Sequence, residues 1–274
     1  MVLFEYSRFL KGTNIRSIEI TEEGVIAALH SPSLRLWCLP SDRGHVAISN
    51  LNFRQYEVQE LERLLAFARD GDTFFDIGAN VGLYSIAFAQ KCPNSTICAF
   101  EPIRTTWDEL NRNILLNGVS VKTYNIGLGE GKGRADFYFD KAATGATSGA
   151  PLGAGFETEI VTGSVEPLDA FIHLKPSILK CDVEGAELMV FKGGAKTIET
   201  CLPVIQCEML RKWAKRFNYH PNQIIAFMEA LGYKCFSLEN DRLVYFSEMT
   251  EETVQTNFYF LHTEKHQNFI STGS

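Results

Sequence analysis

The run Phe74-Phe75-Asp76-Ile77-Gly78-Ala79-Asn80-Val81-Gly82-Leu83-Tyr84 constrains this chain most, because it takes an apolar strand through a tight glycine turn into a helix. Gly78 and Gly82 let the backbone adopt turn dihedrals and approach a ligand with no Cβ in the way. The amides that open the following helix then point at a ligand's anionic groups. Further on, a second apolar stretch, Ile97-Cys98-Ala99-Phe100, ends at Glu101, where a carboxylate can bind a ribose diol. Turn and acid together suit an adenosyl cofactor.

With 274 residues the chain can bury a sizeable core, and it reads as one large domain with an N-terminal extension. The expected boundaries are a β-rich extension or cap over 1–55, the main domain over 56–264 and a tail over 265–274. A net charge of −7 disfavours nonspecific nucleic-acid binding. The densest basic stretch, Arg211-Lys212-Trp213-Ala214-Lys215-Arg216, is short and reads as a solvated helix face. Seven cysteines form no C-x-x-C pair and lie mostly in apolar runs, which fits a reducing compartment. No segment approaches the roughly 20 apolar residues that a membrane span needs, so a cytoplasmic protein is expected.

From Ile15 to Asn50 the pattern alternates between turn residues and reads as short strands. Val58 to Arg69 has helical spacing. Strands are then expected at 73–77, 96–100, 121–126, 134–139, 177–182 and 203–208, with helices at 82–90, 104–117, 186–198 and 221–231. Two last strands, near 242–247 and 257–262, have no helix between them and should form an antiparallel hairpin at one edge. Alternating βα units imply a doubly wound, mostly parallel α/β sheet. Lys141 to Phe156, dominated by Gly, Ala, Ser and Thr, reads as a long mobile loop, either a lid or a plain surface connection.

A second informative run is Ile178-Leu179-Lys180-Cys181-Asp182-Val183-Glu184-Gly185-Ala186-Glu187, another apolar strand that ends in acids. The next strand ends in Glu208, and if the two are neighbours at about 4.8 Å, Asp182 and Glu208 face one cleft. Such acids orient a cofactor amine, hold a metal or accept a proton. An acid after a buried strand is costly unless paired, so Asp182 and Glu208 read as functional, with Glu184 between them. Glu187, in a first helical turn, has an equally good structural reading. The six histidines are scattered without ligand spacing. No G-x-S-x-G, H-E-x-x-H or P-loop motif is present. Phe53 and Tyr56 could line an acceptor pocket or belong to the core.

At these residues the chain resembles the FkbM family of class I S-adenosylmethionine-dependent methyltransferases. The resemblance rests on Asp76-Ile-Gly-Ala-Asn-Val-Gly82, Phe100-Glu101-Pro102, Val165-Glu-Pro-Leu-Asp169, Leu179-Lys-Cys-Asp-Val-Glu-Gly-Ala-Glu187 and Ala226-Phe-Met-Glu-Ala-Leu-Gly-Tyr233, in the family's order. It implies a seven-stranded Rossmann-like sheet. It also implies that Asp76, Gly78, Ala79, Asn80 and Gly82, with Tyr84 beside them, cradle the methionine part of S-adenosylmethionine. Glu101 would bind the ribose, Pro102 and the Asn125-Ile126-Gly127 turn would lie near the adenine, and Asp182 would face the sulfonium. The implied reaction is O-methylation of a hydroxyl on a sugar, polyketide or other small metabolite. Asp182, Glu184 or Glu208 would take or polarise the proton, directly or through a divalent cation such as Mg²⁺. Two rivals remain: a non-catalytic cofactor-binding protein, and a nicotinamide-dependent oxidoreductase, although G-x-G-x-x-G would want glycine at Asp76 and Val81.

Overall fold

A computed structural model of the chain describes residues 7–38, 46–140, 143–151 and 158–272, with side chains at 143–146 and 271–272 left aside. Strands β1 (Ile15–Thr21), β2 (Gly24–Leu29) and β3 (Arg35–Cys38) form an antiparallel sheet, as the alternating pattern predicts. The expected strands stop there, because Val46–Phe53 is a helix, α1. These elements do not stand apart from the rest. Ile15, Leu29, Leu36 and Val46 share a core with Leu64, Phe74 and Leu110. Helix α2 (Val58–Phe67) turns Val58, Leu61, Leu64 and Phe67 inward at helical spacing.

The main body continues with β4 (Thr73–Ile77), α3 (Leu83–Lys91), β5 (Thr96–Phe100), α4 (Arg104–Asn117) and β6 (Lys122–Tyr124). Gly118, at φ 64°, closes α4. After β6 the chain leaves the sheet. Strands β7 (Gly127–Gly129), β8 (Gly133–Asp140), β9 (Ala143–Ser148) and β10 (Thr158–Pro167) make a second sheet in the order β7-β10-β8-β9. The expected strand at 121–126 thus shortens to β6, since the chain leaves the main sheet after Tyr124, and 134–139 belongs to the second sheet. The expected loop over 141–156 also needs correction: Ala143–Ser148 is a strand paired with β8, because backbone hydrogen bonds to a neighbour do not require apolar side chains. Residues 141–142 and 152–157 lie outside the described residues.

A 3₁₀ turn (Leu168–Leu174) leads into β11 (Ile178–Cys181), α5 (Glu187–Lys192), α6 (Ala195–Cys201), β12 (Val204–Glu208), α7 (Arg211–Ala214), α8 (Asn222–Ala230), β13 (Tyr233–Glu239), β14 (Arg242–Tyr245), β15 (Asn257–His262) and α9 (Gln267–Thr272). Among the described residues the main sheet has eight strands, not seven, in the order β14-β13-β15-β12-β11-β4-β5-β6. β12, β11, β4, β5 and β6 run parallel, and the pairings of β12 with β15, β15 with β13 and β13 with β14 are antiparallel. The terminal hairpin joins β13 to β14 across Asn240 and Asp241, both at positive φ, as a two-residue hairpin turn prefers. The hairpin expected between 242–247 and 257–262 does not form, because β15 inserts between β12 and β13 and so has no edge facing β14. From β4 the chain runs outward through β5 and β6, then returns to β11 on the other side of β4, which makes a topological switch point between β4 and β11. Among the described residues no helix is long and apolar enough to cross a membrane.

Candidate active site

A cavity of about 310 Å³ lies at the carboxyl ends of β4, β5, β11 and β12, beside the switch point. The turn after β4 reaches it because Gly78 holds φ 79° and packs directly on the Asp182 backbone, where a Cβ would run into the carbonyl oxygen. Gly78 N and Ala79 N both donate to the carbonyl oxygen of Phe100 at 3.0 Å, which ties the turn to the end of β5. The Glu101 carboxylate stands next, only 3 % exposed. One of its oxygens accepts the Asn80 amide at 3.0 Å, the other the Ile103 amide at 2.9 Å. Burial pushes its pKa up to about 7 against the pull of those amides. Asn80 holds φ 47°, and its side-chain Oδ1 is buried without a hydrogen-bond partner.

The acids gather at the other end. Asp182 accepts a 3.0 Å ion pair from Lys180, whose ammonium is buried in the middle of β11 and lies 4.7 Å from the centre of the Tyr84 ring. Glu184 sits at φ 51°, with its carbonyl oxygen accepting a 2.8 Å bond from Ser148 Oγ at the end of β9. One carboxylate oxygen from each of Asp182, Glu184 and Glu208 lies within 4.8 Å of the other two. Burial, and then the charge of Asp182, raises both Glu184 and Glu208 well above the usual carboxylate range. That spacing allows the three to share a proton, a hydroxyl or a cation. Glu187 is a brace: its Oε1 accepts the amides of Val183 and Gly185, and its Oε2 accepts the Tyr219 hydroxyl.

Gly78, Ala79, Asn80, Tyr84, Glu101, Pro102, Ile126, Gly127, Asp182, Glu184 and Glu208 all line this one cavity. Three residues that the sequence placed on the cofactor stand behind the wall instead. Asp76 is buried, with one oxygen accepting Ser85 Oγ at 2.6 Å. Gly82 admits the side chains of Leu110 and Ile86, so it serves helix packing. Asn125 donates to the carbonyl oxygens of Glu101 and Pro102, which fixes that turn. Phe53 is 71 % exposed, whereas Tyr56 lines the cavity.

Sequence reasoning missed Lys180, Glu57, Phe137 and Phe217, all of which line the cavity. Lys180 was detectable, since a lysine inside an apolar strand is costly unless acids meet it. Glu57 carries no such signal. It precedes α2 at φ 55° and makes no side-chain cap. With Asn80 and Glu184 it is one of three non-glycine residues on this cavity in the left-handed region, a conformation that costs roughly 1–2 kcal/mol each.

The profile of the methyltransferase FkbM domain matches residues 76–235, more than half of the chain. Among curated proteins, "Methyltransferase 1" of Beauveria bassiana is 31% identical over 146 residues, covering 45% of this chain and 59% of that protein. The hexuronic acid methyltransferase AglP of Haloferax volcanii is 27% identical over 144 residues, covering 53% and 59%. The chain thus matches a little under three fifths of the length of each relative. The crystal structure of an FkbM methyltransferase from Methylobacillus flagellatus aligns with 18% identity and a TM-score of 0.44, over 78% of this chain and 54% of that one. By the extent of the domain match, the chain belongs to the FkbM methyltransferase family.

Proposed function

We propose that the chain is an S-adenosylmethionine-dependent O-methyltransferase acting on a hydroxyl of a sugar, polyketide or other small metabolite. The observation that carries this reading is the union, in one cavity, of the acceptor wall at Glu101 and Asn80 with the carboxylates after β11 and β12. The cofactor's ribose hydroxyls are donors, and its ammonium and sulfonium are cations. Glu101, with each oxygen engaged by a single amide, has acceptor capacity left, and Asn80 Oδ1 has no partner, so the residues fit the group. Glu101 would hold the ribose, and Gly78, Ala79, Asn80 and Tyr84 the methionine part. Pro102, Ile126 and Gly127 would flank the adenine, with Asp182 toward the sulfonium.

When bound, S-adenosylmethionine supplies an electrophilic methyl carbon. The chain's task is to hold an acceptor oxygen in line with it and keep that oxygen nucleophilic. Asp182, steered by Lys180, accepts a hydrogen bond from a hydroxyl beside the reacting one and polarises the acceptor with its charge, while Glu184 and Glu208 grip the acceptor's remaining oxygens. Three carboxylates could also share a divalent cation, but Lys180 already engages Asp182, so we assign the cluster to hydroxyl and proton binding. The naming of AglP for hexuronic acid supports a sugar acceptor. The test is labelled-methyl transfer to uronic acids, other sugars and phenols. Asp182→Asn and Glu208→Gln should each lower kcat by about tenfold or more with cofactor affinity unchanged, and a chelator should leave the rate unchanged. A loss below tenfold in both variants removes these carboxylates from catalysis.

A further inference from the structure

We infer that Glu57, on the strained residue ahead of α2, is a further catalytic residue: it takes the proton that the acceptor hydroxyl loses. This assignment rests on the O-methyltransferase reading above. Glu57 lines the cavity with Tyr56, Lys180, Asp182 and Glu208, and its carboxylate feels the charges of those last three. A polar residue just before a helix commonly caps it through its side chain. Glu57 does not: its carbonyl oxygen accepts the Leu61 amide, while its side chain makes no cap and hydrogen-bonds with Tyr56, which lines the cavity beside it. Its backbone is left-handed where glycine or asparagine would sit more easily, and such strain persists where the surrounding structure enforces it, typically at working sites.

The other carboxylates are poorer proton acceptors. Asp182 is engaged by the Lys180 ammonium. Glu184 and Glu208 crowd Asp182 and each other within 4.8 Å, and burial together with those charges raises both well above the usual carboxylate range. Glu57 lies between these extremes. Burial and Asp182 raise it, Lys180 and the neighbouring Tyr56 hydroxyl lower it, and it comes to about 7, where a general base works best. The charged and titratable groups around it are Tyr56 and Glu60 from its own segment, Tyr84 from α3, Lys180 and Asp182 from β11 and its C-terminal end, and Glu208 from β12. In the step, the acceptor's O–H bond breaks and its electron pair stays on oxygen for the bond to the methyl carbon. The proton passes to a Glu57 oxygen, leaving a neutral acid that returns it to solvent after product leaves.

The experiment compares wild type, Glu57→Gln and Glu57→Asp in labelled-methyl transfer to D-glucuronic acid, D-glucose and catechol, with the pH profile taken on whichever is methylated. S-adenosylhomocysteine affinity and thermal melting are measured alongside. Wild-type kcat should rise with pH through about 7 and level off. Glu57→Gln should lose that limb and about 100-fold in kcat, with KM and homocysteine-product affinity within about twofold, and Glu57→Asp should recover part of the rate and the limb. If Glu57→Gln keeps kcat within about threefold or retains the limb, or if Glu57→Asp recovers neither, the assignment to Glu57 is overturned while the O-methyltransferase reading stands. If wild type methylates none of the three although it binds the homocysteine product, the reading of the site fails and the assignment falls with it.

Discussion

A methyl group added at Gly78 would run into the carbonyl oxygen of Asp182, and the residue already holds φ 79°. Gly78→Ala therefore combines left-handed strain with overpacking, and urea unfolding should show a loss of about 2–4 kcal/mol. A loss under about 0.5 kcal/mol would mean that the two turns do not meet as closely as described. Residues of this kind were readable in the sequence because their chemistry is singular: a glycine after an apolar strand, an acid where packing gains nothing. Glu101, Asp182 and Glu208 were found on that logic, and all three line the cavity. Asp76 and Asn125 carry the same polarity yet work from behind the wall, and pattern alone does not separate support from contact. Glu57 was illegible, since nothing in the sequence tells that it makes no cap and takes a left-handed backbone beside the cavity.

Among the elements, the parallel core was the legible part. β4, β5 and α4 fall at 73–77, 96–100 and 104–117, as their periodicity predicts. The misreadings fall where a non-local contact decides. One helix was expected over 186–198, but two form, α5 and α6, with Gly193 and Gly194 between them. Gly193 lies against the Gly129 backbone and Gly194 against Leu168, so β7 and the 3₁₀ turn impose the break. β13 went unseen because Lys234 interrupts its apolar pattern, although Tyr233, Cys235 and Phe236 are all buried. The segment expected as a lid or plain connection instead gives a strand, β9, whose Ser148 holds the Glu184 loop. The second sheet bears on the cavity through Phe137, whose ring lies against Gly127 and Gly163, where side chains would displace it.

For the whole molecule, concentrating acids in one buried region sets a pH dependence. Burial brings both Glu101 and Glu187 to about 7 from the ordinary 4.5. Between those values the folded chain keeps protons that the unfolded chain has shed, so stability falls as pH rises through this window. The cost is absent below about 4.5 and complete above about 7, on the order of a few kcal/mol in total. Urea midpoints should be higher at pH 5.5 than at pH 8, and Glu101→Gln should flatten the difference. A midpoint that rises with pH would contradict this sign. The central claim is that the cavity beside the switch point binds an adenosyl cofactor through Glu101. Its most direct test is calorimetric titration of wild type and Glu101→Ala with S-adenosylhomocysteine, run beside NADH. The account predicts binding of the homocysteine product alone, weakened by about tenfold or more in the variant, as loss of hydrogen bonds to a charged group implies. Equal affinity in both proteins, or binding of NADH in its place, would contradict it.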